Sequence, residues 1–127
     1  MLLDRQTNVA LSILLTLARR QDEALPARGL ARVIGVSLRS LARLLLRLRE
    51  AGLVAIRGGR RGGYVLARSP WAISLSDVVD ACGGATPAFD LSLAQDDGLR
   101  AGLGRMNERL RSELSRTRLA HVAATCY

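Results

Sequence analysis

Arginine is the residue type with the widest chemical reach in this sequence. The chain has 127 residues, and all 19 of its basic residues are arginine. They are unevenly placed. Residues 1–68 hold 13 arginines against Asp4, Asp22, Glu23 and Glu50, a net +9, whereas residues 69–127 hold 6 arginines against 7 carboxylates, a net −1. Arg39, Arg43 and Arg47 recur every four residues, and Arg60-Arg61 stand between Gly58-Gly59 and Gly62-Gly63. A guanidinium is a planar, permanently charged fork that bonds a phosphate or a guanine edge through two N–H groups at once. A basic half joined to a near-neutral half is the charge pattern of a nucleic-acid footprint beside an assembly or sensing unit. Charge alone fits a solvated basic surface without a partner equally well.

Other chemistry has little to work with. A nucleophile–histidine–acid set would have to use His121, the single histidine, and no serine lies in a G-x-S-x-G context. The glycine-rich stretch 58–63 lacks the Lys-Ser/Thr ending of a phosphate-binding loop and does not fit G-x-G-x-x-G. The carboxylates fall mainly near expected helix starts or on exposed faces, where capping and solvation account for them. These features exclude an enzyme of the common classes. With two tyrosines, one tryptophan and one phenylalanine, a base-stacking platform for single-stranded RNA is also poorly supplied.

The elements that position the arginines follow from periodicity. Hydrophobic residues make up 49% of the chain but aromatics only 3%, so the core must be Leu, Ala and Val, which favours helix. A first helix is expected from about Thr7 to Arg20, apolar over most of its circumference and so buried on two sides. Ala27–Ile34 reads as a short second helix closed by Gly35. Ser37 then caps a third helix that runs to Ala51 and ends at Gly52. Leu38, Leu41, Leu45 and Leu48 would form its buried face, with Arg39, Arg43 and Arg47 on another. Leu53–Arg57 and Tyr64–Arg68 are strand candidates joined by the glycine-rich turn. Ser74-Leu75-Ser76-Asp77 has the pattern of a capping box and opens a helix to about Cys82, stopped by Gly83-Gly84. Gly84 to Asp96 is expected to be a loop. Beyond it Leu99, Leu103, Met106, Leu110, Leu114 and Thr117 make a narrow apolar seam on a charged helix, suited to pairing with another helix.

Two of these features combine into a recognisable unit. Ala27 to about Leu46 fits a helix–turn–helix: Ala31 is small where two helices cross, Gly35 allows the tight turn, and Leu30, Ile34, Val36, Leu41 and Leu44 fill the angle. A hairpin with Arg60 and Arg61 at its tip follows directly, which makes a winged helix. Its third helix can enter a major groove about 12 Å wide while the wing reaches phosphates or the minor groove. The fold class expected is therefore mainly α with a small β-hairpin: a winged helix–turn–helix at 1–84, then a loop and a long C-terminal dimerisation helix at 85–127.

The segments Gly35-Val36-Ser37-Leu38, Leu48 to Val54, Gly62 to Arg68 and Ile73 to Val79 stand in register. Together they resemble the iron–sulfur cluster regulator family, which includes IscR, the nitric-oxide-sensing NsrR and the cysteine-metabolism repressor CymR. The likeness is dense over residues 30–84 and thinner in the first helix and at Thr117-Arg118-Leu119-Ala120-His121-Val122. It implies a homodimer formed through the long C-terminal helix by Leu99, Leu103, Met106, Leu110 and Leu114. It also implies sequence-specific binding of double-stranded DNA in transcriptional regulation, as a repressor. The DNA contacts so implied are Ser37, Arg39, Ser40 and Arg43, with Gly59, Arg60, Arg61 and Gly62 of the wing. Arg28, near the start of the second helix, is either a phosphate contact or a free surface arginine. Two positions depart from the family pattern. Gly58-Gly59 replaces an Arg-Gly pair leading into the wing, with Arg57 one step earlier, and Ala42 stands where some members carry an acidic base-reading residue.

A larger departure concerns sensing. Cluster-binding members place three cysteines in the loop before the long helix, and residues 83–125 here contain none. Cys82, Cys126 and His121 are too few and badly spaced to hold a cluster, which normally takes four ligands and soft thiolates. No cofactor and no metal site is expected. Cys82, between the DNA unit and the long helix, is either a redox-sensitive thiol or a small buried apolar residue. Val9 to Ala18 is too short and too polar to cross a bilayer, and two cysteines make no disulfide framework, so a cytoplasmic protein without membrane contact is expected. A winged-helix module for protein–protein assembly, without specific DNA binding, is the alternative function.

Overall fold

The computed structural model describes residues 5–83 and 89–125. Six helices and one hairpin follow in the order α1 (Arg5–Arg19), α2 (Ala27–Ile34), α3 (Leu38–Glu50), β1 (Val54–Arg57), β2 (Gly63–Leu66), α4 (Leu75–Ala81), α5 (Asp97–Arg116) and α6 (Leu119–Thr125). This is the mainly helical winged-helix architecture expected, long C-terminal helix included. The expected 84/85 boundary and Cys126 lie outside the described residues.

The core is aliphatic, as the scarcity of aromatics requires. Ala10, Ile13, Leu14 and Leu17 of α1 meet Leu30 of α2, Leu41, Leu45 and Leu48 of α3, and Leu53, Ile73, Val78 and Leu119, all buried. Burying one such Leu or Ile contributes about 1.5–3 kcal/mol, so this cluster dominates the stability of the fold. Leu38 is a correction: it is 42% exposed rather than part of the buried face. It is the first residue of α3, where the helix projects past the core that Leu41 and Leu45 reach.

The turns close as their glycines allow. Gly35 takes a left-handed φ of 83°, and Val36 N–H returns to the Ala31 carbonyl at 3.1 Å. At the end of α3 Gly52, φ 76°, completes a Schellman motif, with Gly52 N–H on Arg49 O at 3.0 Å and Leu53 N–H on Leu48 O at 2.9 Å. These two turns set the angle at which α3 leaves α2 and the point at which the wing begins.

β1 and β2 pair antiparallel in the register Val54↔Leu66, Ala55↔Val65, Ile56↔Tyr64 and Arg57↔Gly63. Leu25 pairs with β2 from a third chain segment, through an isolated antiparallel bridge to Tyr64 with bonds of 3.0 and 2.7 Å. A Cβ at Gly63 would collide with the Leu25 backbone, so the close docking of the wing on the α1–α2 connection needs glycine there.

The C-terminal half departs from the single long seam expected. α5 stops at Arg116, and Thr117, with extended dihedrals, redirects the chain into α6. Leu119 N–H bonds Ile73 O at 2.8 Å, and Leu75 N–H bonds Thr117 O at 3.0 Å. The last helix thus returns to α1 and buries Leu119 in the winged-helix core. The segment before α5 is tied down by Asn107, whose buried amide accepts from Phe89 N–H at 2.7 Å and donates to Phe89 O at 3.1 Å.

Candidate nucleic-acid interface

The recognition helix is built from its cap outward. The Ser37 hydroxyl accepts from Ser40 N–H at 3.2 Å and donates to Ser40 Oγ at 3.0 Å, which satisfies one of the orphan donors of the first turn. Arg39, Ser40 and Arg43 are exposed, as the expected contact face requires. Arg47 is not part of that face. It is half-buried and donates to Cys82 O at 2.9 Å and to Gln6 Oε1 at 3.3 Å. Eight residues on an α-helix advance the side chain about 80° past two full turns, so a four-residue spacing from Arg39 carries Arg47 around toward α4.

The wing tip is a four-residue turn. Gly62 N–H bonds Gly59 O at 3.1 Å, which puts Arg60 and Arg61 at the two central positions, both exposed. A Cβ at Gly62 would meet the Arg57 and Gly59 carbonyl oxygens, so the turn closes only with glycine there. Arg57, the last residue of β1, is also exposed and lies at the base of this turn. Arg28 is exposed on the first turn of α2. Among the described residues, ion pairs engage Arg68, Arg111 and Arg116 but not Arg28, Arg39, Arg43, Arg57, Arg60 or Arg61. Those six guanidinium groups therefore remain available to an external anion.

The helix α4 carries the expected capping box, with Asp77 N–H on Ser74 Oγ at 3.1 Å and Ser74 N–H on Asp77 Oδ2 at 2.9 Å. Cys82 ends it as a buried residue, 5% exposed. On α5, Leu99 and Met106 are 49% and 51% exposed, and Leu103, Leu110 and Leu114 are partly exposed. The buried residue of α5 is Asn107, which the apolar spacing did not single out.

A helix–turn–helix followed directly by a hairpin with Arg60 and Arg61 at its tip defines a winged-helix protein. Residues 3–125 match the Rrf2 family, described as iron-dependent transcriptional regulators, and the chain belongs to that family. The family is one of regulators and not of enzymes, as expected from the residues. An rrf2-like HTH-type transcriptional regulator of Rhodobacter capsulatus is 38% identical over 82 residues, which cover 61% of this chain and 55% of that protein. The chain thus spans about half the length of that relative. CymR of Bacillus subtilis is 28% identical over 115 residues, 90% of this chain and 83% of CymR. Among solved structures, B. subtilis CymR, the global cysteine regulator, superposes with a TM-score of 0.89 at 24% identity, covering 100% of this chain and 99% of that one. T. potens IscR gives 0.83 at 22% identity, covering 100% and 89%. At these identities the two structures establish the fold alone.

The family description raises iron. Among the described residues no group of three or more His, Cys, Asp or Glu could hold a metal. The ring of His121 lies edge-on to Trp71 at 4.9 Å between centroids, and its Nδ1 accepts from Arg118 N–H at 3.4 Å. Among the described residues no helix is long and apolar enough to cross a membrane.

Proposed function

We propose that this protein binds double-stranded DNA in a sequence-specific manner as a homodimer and regulates transcription as a cytoplasmic, cluster-free repressor. The observation that carries this reading is the set of exposed arginines that make no ion pair among the described residues, from Arg39 and Arg43 of α3 to Arg60 and Arg61 at the wing tip. Ser37, Ser40 and Arg43 enter the major groove, while Gly59 to Gly62 bring the backbone of the wing close to the duplex and Arg28 contacts phosphate. Base contacts specify the site and phosphate contacts hold the register. Ala42 offers a methyl group rather than a carboxylate to the bases, so its site preference differs from that of members with an acid there.

The homodimer reading draws on α5. Its 20 residues span about 30 Å, and Leu99, Leu103, Met106, Leu110 and Leu114 lie along it at three- and four-residue steps with apolar surface exposed. Covering a promoter requires only tight binding, which is why repression is the mode proposed.

The test is fluorescence anisotropy of the purified protein with the duplex upstream of its own gene and with a shuffled duplex, across a salt series. With ~6 phosphate contacts per dimer, affinity falls about a thousandfold between roughly 50 and 200 mM salt, with preference for the upstream duplex. Absence of binding even at low salt overturns the reading and favours a protein–protein assembly module.

A further inference from the structure

Beside the recognition helix lies a groove of about 420 Å³ formed by the start of α1 and the flank of α3. Val9, Val36 and Leu44 give it apolar surface, and Arg5, Arg39, Arg43 and Arg47 line it together with Gln6 and Ser40. Among the described residues that line it there is no carboxylate. Like charges one helical turn apart repel by a few tenths of a kcal/mol per pair, and Arg39, Arg43 and Arg47 form two such steps. Arg47 is held by Gln6 Oε1 and Cys82 O, neither of them a carboxylate. Among the described residues no ion pair engages Arg5, Arg39 or Arg43.

From this we infer that the α1–α3 groove seats a backbone phosphate of the bound duplex, with Arg5 of α1 and Arg39 of α3 as its cationic ligands. The inference rests on the DNA-binding reading and extends the contact surface to α1, which neither the helix–turn–helix nor the wing includes. The groove is continuous with the exposed face of Arg39 and Arg43, so a strand that passes across α3 also passes over it. Its chemistry is that of a phosphate seat: a multivalent positive field, a hydroxyl and an amide, and no base-reading geometry of its own. A contact of this kind fixes the orientation of α3 and adds affinity without sequence preference.

The full-length protein and three variants test it: Arg5→Gln, Arg109→Gln as a charge-matched change on the exposed face of α5, and Arg60→Ala/Arg61→Ala at the wing. The readout is the slope of log affinity against log salt on the upstream and shuffled duplexes, with circular dichroism melting to check folding. Arg5→Gln is expected to reduce the slope by about 0.9 for each protomer bound, equally on both duplexes, with melting unchanged. Arg109→Gln is expected to leave it at the wild-type value. A wild-type slope for Arg5→Gln beside a reduced slope for the wing variant overturns the phosphate seat and leaves DNA binding standing. Equal reductions for Arg5→Gln and Arg109→Gln also overturn it, because net charge then accounts for the effect. Calorimetric titration with inorganic pyrophosphate separates the remaining source: binding lost in Arg5→Gln with no change in DNA slope assigns the groove to a free anion. Failure of the wild type to bind any duplex removes the DNA reading itself, and this inference with it.

Discussion

Arg47 of the recognition helix donates a hydrogen bond of 2.9 Å to the carbonyl oxygen of Cys82, the C-cap of α4. The guanidinium thus sits at the negative end of that helix and satisfies one of its orphan carbonyls, while Gln6 of α1 shares the same nitrogen at 3.3 Å. Three helices meet at one side chain. Arg47→Ala is expected to lower stability by about 1–2 kcal/mol in urea unfolding, since a charge-assisted bond to a partly buried carbonyl is lost. Arg47→Lys keeps the charge but not the fork, and an intermediate loss is expected.

Ser37 serves α3 as a cap before it meets any ligand. Ser37→Ala is expected to cost about 1 kcal/mol of stability, measured by thermal or urea unfolding. Ser37→Asp keeps a capping acceptor and places a negative charge at the positive end of the helix, so stability near wild type is expected. The same carboxylate repels phosphate, so DNA affinity is expected to fall in that variant although the fold is retained. Parallel losses of stability and affinity in Ser37→Asp would contradict the separation of the two roles.

The cap, the turns and the wing were legible because each is a local event. Ser37, Gly35, Gly52 and the Ser74–Asp77 box act within a few residues of themselves, and the glycine pairs around Arg60-Arg61 announce their turn directly. Long-range facts were not legible in the same way. Arg47 falls at the spacing of an exposed arginine stripe, and its true partner is 35 residues away. Leu38 fits the apolar period yet stands where the core has already ended. Thr117 continues the seam in sequence, but its carbonyl bonds Leu75 N–H and the chain bends there into α6. In each case a tertiary partner overrides a periodic pattern.

The wing depends on glycine for shape and on arginine for charge, and the two can be separated. Gly63→Ala forces a Cβ into the Leu25 backbone and is expected to cost more than about 1 kcal/mol, with loss of amide protection at Leu25 and Tyr64. Arg60→Ala and Arg61→Ala remove exposed side chains from the turn, so changes in stability within about 0.5 kcal/mol are expected. Each is expected to lower the salt slope of DNA binding by about 0.9 for every phosphate that the arginine neutralises.

Anaerobic incubation with ferrous iron and sulfide tests the cluster-free reading. With Cys82 buried and residues 83–125 free of cysteine, the purified protein is expected to gain no thiolate-to-iron absorbance after desalting. A stoichiometric, stable chromophore would overturn that part of the proposal.

Asn107 occupies the middle of α5, where the apolar spacing would place no polar residue inside. Its amide is buried because it replaces a strand partner for Phe89, accepting from the N–H and donating to the carbonyl of one residue. Asn107→Leu keeps the volume but leaves both Phe89 groups without their partner, a cost of about 1–3 kcal/mol for each buried group that water does not reach. Asn107→Asp keeps the acceptor and turns a second oxygen on the Phe89 carbonyl, so it too is expected to destabilise the segment. Hydrogen exchange at Phe89 is the direct readout: faster exchange is expected there in both variants, with the α1–α3 core protected as before. Because the side chain ties the α4–α5 connection to the helix that bears Leu99 and Met106, both variants are also expected to loosen the orientation of α5. If α5 is the dimer helix, sedimentation of the Asn107 variants shows weaker self-association than wild type at equal concentration. Wild-type association in a variant whose Phe89 exchanges freely would separate the clamp from assembly.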